Sequence, residues 1–144
     1  MKKRKQAKAG FTLVELLVVL VILMVIGTIA VQNFSGEEDK AKVKATKASF
    51  TSLENALERF KLDVGRYPTD EEGLAALYTA PEGLDDWAGK YLTKSRSLRD
   101  AWDHDYVYVI PGPDGEPYEI ISLGADGVEG GEKYNADLSN LEEQ

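Results

Sequence analysis

Gly10-Phe11-Thr12-Leu13-Val14-Glu15 opens an apolar run that continues to Val31. Of the 21 residues from Phe11 to Val31, 17 are apolar, and Glu15 is the one charge among them. As a helix rising 1.5 Å per residue the run would extend about 31 Å, matching a hydrocarbon core of about 30 Å. It therefore predicts a helix that crosses a membrane. Lys2, Lys3, Arg4, Lys5 and Lys8 precede it without any acid, and the next base is Lys40. By the positive-inside rule the amino terminus lies in the cytoplasm and the bulk of the chain outside it. An ordinary secretory signal has an apolar region of about 7 to 15 residues and then a small-residue cleavage site. Here the apolar run is longer, and the small residue, Gly10, comes before it.

Downstream, Glu37, Glu38 and Asp39 are succeeded by Lys40, Lys42, Lys44 and Lys47. Acids leading and bases trailing suit a helix dipole, and Glu38 with Lys42 makes an i,i+4 pair. Val43, Phe50, Leu53, Leu57 and Phe60 recur at spacings of 7, 3, 4 and 3, which puts one apolar stripe on one helix face. The spacing predicts a single long helix over 11–63, with weak points at Gly27 and Gly36. Residues 11–33 form its membrane part and 34–63 its external part, and 64–144 form a globular domain after a basic leader, 1–10. The Lys patch is a solvated face or a contact for acidic patches of neighbouring subunits.

Gly65 and Pro68 end the long helix. Thr69 and Glu72 then fit a capping box, predicting a second helix that buries Leu74, Leu77 and Tyr78 before Pro81. Residues 81–100 read as a loop pinned by Trp87 and Tyr91. Tyr106 to Ile110 and Tyr118 to Ile121 are β-rich runs flanking Pro111-Gly112-Pro113-Asp114-Gly115-Glu116-Pro117, which predicts a β-hairpin. Helix first and strands later gives an α+β class, an antiparallel sheet packed on the long helix. Trp87, Trp102 and Tyr106 read as core or loop anchors, and Asp103-His104-Asp105 as a polar turn rather than a metal or acid/base cluster.

The charge distribution limits the functions open to the chain. The 144 residues carry a net charge of -8, yet the leader alone contributes +5. Without a basic patch beyond the leader and the short Lys run, a nucleic-acid partner is not expected. There are no cysteines and one histidine, His104, which argues against disulfides, thiolate metal sites and His-based relays. The sequence has no G-x-S-x-G, P-loop or G-x-G-x-x-G motif, so no catalytic residues are assigned and the chain is expected not to be an enzyme.

Gly10-Phe11-Thr12-Leu13-Val14-Glu15 behind a basic leader resembles the type IV prepilin signal. Gly65-Arg66-Tyr67-Pro68-Thr69, the adjoining Asp70-Glu71-Glu72-Gly73-Leu74, Trp102, Tyr106 and Ser122-Leu123-Gly124-Ala125-Asp126-Gly127 narrow the likeness. Together, over residues 10–139, they resemble the major pseudopilins of the type II secretion system, the general secretion pathway protein G family. The resemblance implies a pilin-like fold and cleavage between Gly10 and Phe11 by a prepilin peptidase, with N-methylation of Phe11. Glu15 would set assembly register against the freed amine of a neighbouring Phe11, which gives a purpose to a carboxylate that costs about 2.5 to 3.5 kcal/mol in a membrane helix. It further implies a homopolymer, working with minor pseudopilins and an inner-membrane secretion platform. The chain would be a single-pass inner-membrane protein with a periplasmic domain, then part of a periplasmic filament that drives secretion. A type IV pilin, a minor pseudopilin and a membrane-anchored calcium-binding module that never polymerises are the alternatives. Two positions depart from the pattern: Gln32 stands where such helices carry Pro, and Asp100-Ala101-Trp102 replaces Asp-Pro-Trp.

Residues 101–144 hold eleven acids and one base, Lys133. Asp126, Glu129, Glu132, Asn135, Asp137, Ser139 and Asn140 share the segment from Leu123 to Asn140 with Gly124, Gly127, Gly130 and Gly131. Such a loop is either dispersed in solvent or wrapped on a cation, and calcium accepts six to eight oxygens of this kind, whereas magnesium is more demanding. The spacing is not that of an EF-hand. The family resemblance implies calcium, with Asp126 and Asp137 giving carboxylates, Ser139 a side-chain oxygen, and Leu123 and Val128 backbone carbonyls. Without disulfides, a metal is the expected staple of a domain with a small core.

Overall fold

In a computed structural model, the backbone is described for residues 12–142, and side chains for 12–25 and 36–142. The basic leader, Gly10 and Phe11 lie outside the described residues. Helix α1 runs from Leu13 to Val64, 52 residues, and remains helical through Gly27, Gln32 and Gly36. The helix is unbroken at Gly27 and Gly36, because one glycine costs only about 1 kcal/mol within a long helix. Two compact units divide the chain between Glu37 and Glu38.

In the first unit, Leu13 to Val25 are exposed. Among the described residues no helix is long and apolar enough to cross a membrane. The rest of the expected membrane part lies at Phe11 and at 26–33, outside the described side chains. Helix α1 starts with a capping box that the sequence pattern alone did not bring out: the Glu15 amide donates to Thr12 Oγ1 at 3.2 Å, and the Thr12 amide faces Glu15 Oε2 at 3.5 Å. Its signal in the sequence is Thr12-x-x-Glu15.

In the second unit the expected stripe is the core. Phe50, Leu53, Leu57 and Phe60 are buried and Val43 packs at the edge, joined by Thr46 and Ala56 from the same face. Each large side chain removed from water contributes about 1.5–3 kcal/mol. Phe50 meets Tyr106 with ring centroids 5.6 Å apart, and Phe60 meets Tyr91 edge-on at 5.4 Å. Glu38 and Lys42 form the expected ion pair at 2.9 Å.

The helix predicted from Thr69 requires correction. Its capping box forms, with the Thr69 amide donating to Glu72 Oε2 at 2.8 Å and the Glu72 amide to Thr69 Oγ1 at 3.3 Å. The chain then makes a turn and a 3-10 helix over Leu74–Leu77, not an α-helix. Gly73, at φ 55 and ψ -167, adopts a conformation no α-helix contains. Leu74 and Leu77 are still buried, as expected, and Tyr78 is half-buried. A further 3-10 turn, Ser95–Leu98, lies in the loop that Trp87 pins through Nε1 to the Ala76 carbonyl at 2.8 Å.

Strands β1 (Val107–Val109) and β2 (Glu119–Ser122) pair antiparallel as the hairpin predicts, with Val107 opposite Ile121 and Val109 opposite Glu119. A third strand, β3 (Leu138–Ser139), completes the order β1-β2-β3. These two residues belong to the segment expected to be an acidic loop throughout. Two residues show no period, and the only signal is Leu138, one apolar residue in a polar segment.

Candidate cation loop and its support

The segment between β2 and β3 carries all the proposed ligands but Ser139, and backbone donors hold the carboxylates of Asp126 and Asp137. Asp126 Oδ1 accepts from the Val128 amide at 3.1 Å, an Asx turn. Asp137 Oδ2 accepts from the Gly130 amide at 2.9 Å, drawing the two limbs of the loop together. The Ala125 amide donates to the Tyr134 carbonyl at 2.8 Å and closes the base. Glycines make this wrapping possible. A β-carbon at Gly124 would lie 2.8 Å from the Ala136 carbonyl oxygen, and one at Gly131 2.5 Å from that of Asn135. Both glycines also have positive φ.

Asp137 Oδ1 is buried and accepts no hydrogen bond among the described residues. An unsatisfied buried acceptor costs about 1–3 kcal/mol, more when charged. A hard cation bound by that oxygen would offset the cost, so the residues present fit calcium. No three His, Cys, Asp or Glu side chains converge among the described residues, so such an ion would depend on backbone carbonyls and amide or hydroxyl oxygens as well. Leu123 and Val128 flank the Gly124–Gly127 turn, one at each end. Ser139 stands differently: it lies in β3, where its Oγ donates to Glu119 Oε1 at 2.5 Å and accepts from the Leu141 amide at 3.2 Å. One lone pair remains for another partner. Asn140 has a structural part, accepting from the Ile120 amide at 2.7 Å and donating to Glu54 Oε1 of α1 at 2.9 Å.

Beneath the loop lies a buried polar network that sequence reasoning did not find. Asp100 is 4% exposed. Its Oδ1 accepts from the amides of Trp102 and His104, each at 2.9 Å, and its Oδ2 from Ser122 Oγ at 2.6 Å. The Asp100 amide donates back to the His104 carbonyl at 2.8 Å. Asp103-His104-Asp105 is the expected polar turn: Asp105 pairs with Arg99 at 3.0 Å, and Asp103 lies 3.5 Å from the same arginine. The departure at Ala101 has a physical consequence. Its N–H donates to the buried Thr46 Oγ1 at 3.3 Å, a bond that proline could not make. Trp102 Nε1 donates to Asp39 Oδ1 at 3.3 Å, so this turn anchors twice on α1.

A second polar cluster flanks the end of α1. Arg66 forks onto both Glu72 oxygens at 2.6 and 2.8 Å. That hydrogen-bonded guanidinium holds the Glu72 carboxyl down at about 2, against the opposing effect of burial. Burial pushes the Tyr106 phenol up to about 12 and raises those of Tyr108 and Tyr118, so all three stay neutral in the core.

Comparison with known proteins adds to this geometry. Residues 33–141 match the family model "Type II secretion system (T2SS), protein G", and residues 5–31 match the "Prokaryotic N-terminal methylation motif". The chain is 40% identical over 141 residues to the type II secretion system core protein G of Vibrio cholerae serotype O1, covering 96% of this chain and 94% of that protein. It is 38% identical over 143 residues to the core protein G of Pseudomonas aeruginosa, covering 97% and 98%. Among solved structures, it is similar to the major pseudopilin from the type 2 secretion system of enterohaemorrhagic Escherichia coli. That match has a TM-score of 0.58 and 33% identity and covers 75% of this chain and 93% of that one.

Proposed function

The chain belongs to the type II secretion system protein G family, and from that membership we propose that it is a major pseudopilin, a structural subunit without a catalytic step of its own. A prepilin peptidase cleaves it between Gly10 and Phe11 and methylates the new amine, after which it polymerises into a periplasmic pseudopilus that serves protein secretion. Until then the 11–33 segment anchors it in the inner membrane with the globular unit in the periplasm. Minor pseudopilins and the inner-membrane secretion platform are its working partners. The observation that carries this reading is the methylation motif over residues 5–31 running directly into the protein G match over 33–141, with helix Leu13–Val64 continuous across their junction.

The mechanism begins at the helix start. In the capping box Glu15 contributes one carboxylate oxygen to the Thr12 amide, at 3.5 Å. That bond is long and weak, so the carboxylate keeps capacity for a stronger, charge-assisted partner. The cationic amine of a neighbouring Phe11 supplies one, and in an apolar surrounding the pairing fixes axial register, because no other cation lies between Phe11 and Val31. Leu13 to Val25, exposed in the single chain, then pack on neighbouring helices or lipid.

Calcium is the proposed occupant of the acidic loop, supported by the orphaned Asp137 Oδ1. Asp126 and Asp137 supply carboxylates, Leu123 and Val128 carbonyls, and Ser139 its remaining lone pair. When bound, the ion neutralises charge in a segment with eleven acids and cross-links its two limbs. Glu15→Ala tests the assembly reading: the protein stays in the membrane fraction while filament yield falls about tenfold by electron microscopy of filaments released from the periplasm, about the ratio expected when an ion pair worth about 1.4 kcal/mol is lost. Normal filaments from that variant would remove Glu15 from the mechanism.

A further inference from the structure

His104 is the only histidine of the chain, and neither filament assembly nor cation ligation gives it a task. It stands outside the β2–β3 segment, yet its ring reaches into it. Nδ1 lies 3.0 Å from the Gly124 carbonyl oxygen and 3.9 Å from Asp100 Oδ2, so the hydrogen bond is to Gly124 and Nδ1 carries the proton. The ring also covers Gly127, where an added β-carbon would come within 3.1 Å of Cε1 and Nε2. One side chain thus bonds one end of the Gly124–Gly127 turn and covers the other.

The support behind it is equally defined. Asp100 fixes the His104 backbone through Oδ1 and orients Ser122 through Oδ2, and Ser122 Oγ accepts from the Gly124 amide at 3.4 Å. Asp100, Ser122, Gly124 and His104 close a ring of hydrogen bonds around Leu123, which lies between two of its members. Asp126 lies inside the turn that His104 spans.

We propose that His104 is a positioning residue for the cation loop, clamping the Gly124–Gly127 turn so that the Leu123 carbonyl and the Asp126 carboxylate are pre-set for a calcium ion. The clamp rests on the calcium reading of the loop. Ligand-orienting partners outside the coordination shell typically account for about 10- to 100-fold in metal affinity, because an unclamped loop must be ordered at the moment of binding. The clamp acts through the Nδ1 donor, whereas the flat face only covers Gly127, and the two can be separated. His104→Phe keeps a ring over Gly127 without a donor, and His104→Asn places an amide N–H where Nδ1 stands.

The test is calorimetric titration of calcium ion into the full-length chain in detergent micelles. His104→Phe is expected to bind about 10- to 100-fold more weakly than the wild type, and His104→Asn within about threefold of it. In the metal-free chain, amide exchange at Gly124 and Val128 is expected to accelerate about tenfold in His104→Phe alone. Calcium affinity and amide exchange in His104→Phe equal to the wild type, or a loss in His104→Asn as large as in His104→Phe, would overturn the clamp. A wild-type chain that takes up no calcium would overturn the calcium reading and the clamp with it. Binding in the wild type with no effect of either variant would overturn the clamp alone.

Discussion

Glu72 shows how one side chain can serve two ends. Its carboxylate completes the capping box with Thr69 and takes the fork of Arg66, and both partners favour the charged form. In the fold its pKa of about 2 lies below the ordinary 4.5, so ionisation stabilises the fold above about pH 4.5. The contribution is lost as pH falls through 2. Because the Arg66 side chain is 42% exposed, solvent screening limits the pair to about 1 kcal/mol. Denaturation of wild type and Glu72→Gln should differ by about that amount at about pH 7 and converge near about pH 2. A gap that persisted undiminished in acid would locate the effect outside the carboxylate's charge. Asp100 makes a related point for sequence reading. Nothing in Asp100-Ala101-Trp102 announces a buried carboxylate with three hydrogen-bond donors, since those donors come from Trp102, His104 and Ser122, the last 22 positions away.

Among the elements, helix α1 is legible in the sequence and the turn after Thr69 is not, for reasons that differ in kind. The stripe from Val43 to Phe60 repeats over several turns, so the period of 3.6 accumulates and the buried face emerges from it. The capping box at Thr69 is a local signal of a helix start, and its two bonds form. Yet the helix fails to propagate, because Gly73 takes a positive φ immediately after Glu72. The hairpin is readable from two β-rich runs, whereas β3 is held by pairing and by Asn140 rather than by any pattern of its own. Of the candidate loop, the acidic and glycine-rich composition is visible in the sequence. Which carboxylate oxygen is left unpaired is not, because that depends on which amides the folded loop turns toward Asp126 and Asp137. The central role of the stripe has a direct consequence. Leu57, fully buried, should cost about 2–5 kcal/mol when replaced by alanine, read as a lowered denaturation midpoint with α1 otherwise intact. A loss below about 1 kcal/mol would mean that the site collapses without a cavity.

Across the whole molecule, charge and apolar surface are distributed among parts with separate tasks. In the proposed function, the basic residues of positions 1–10 address the membrane, the apolar run holds it and then builds the filament, and the acidic segment takes a cation. If calcium staples that segment, the full-length chain in detergent should melt about 10 °C higher with calcium at about 100 times its dissociation constant than in chelator, and magnesium should not substitute. Equal melting temperatures in calcium and chelator would count against the staple. A processed filament subunit differs from a permanently anchored protein in one lasting respect: processing leaves a covalent record. Intact-mass and amino-terminal peptide measurements on the membrane-bound form, from cells that carry the secretion system, read that record. A processed subunit begins at Phe11 and carries one methyl group on its amine, and that is the expected result. A chain that retains residues 1–10, or that starts at Phe11 with an unmodified amine, would contradict it.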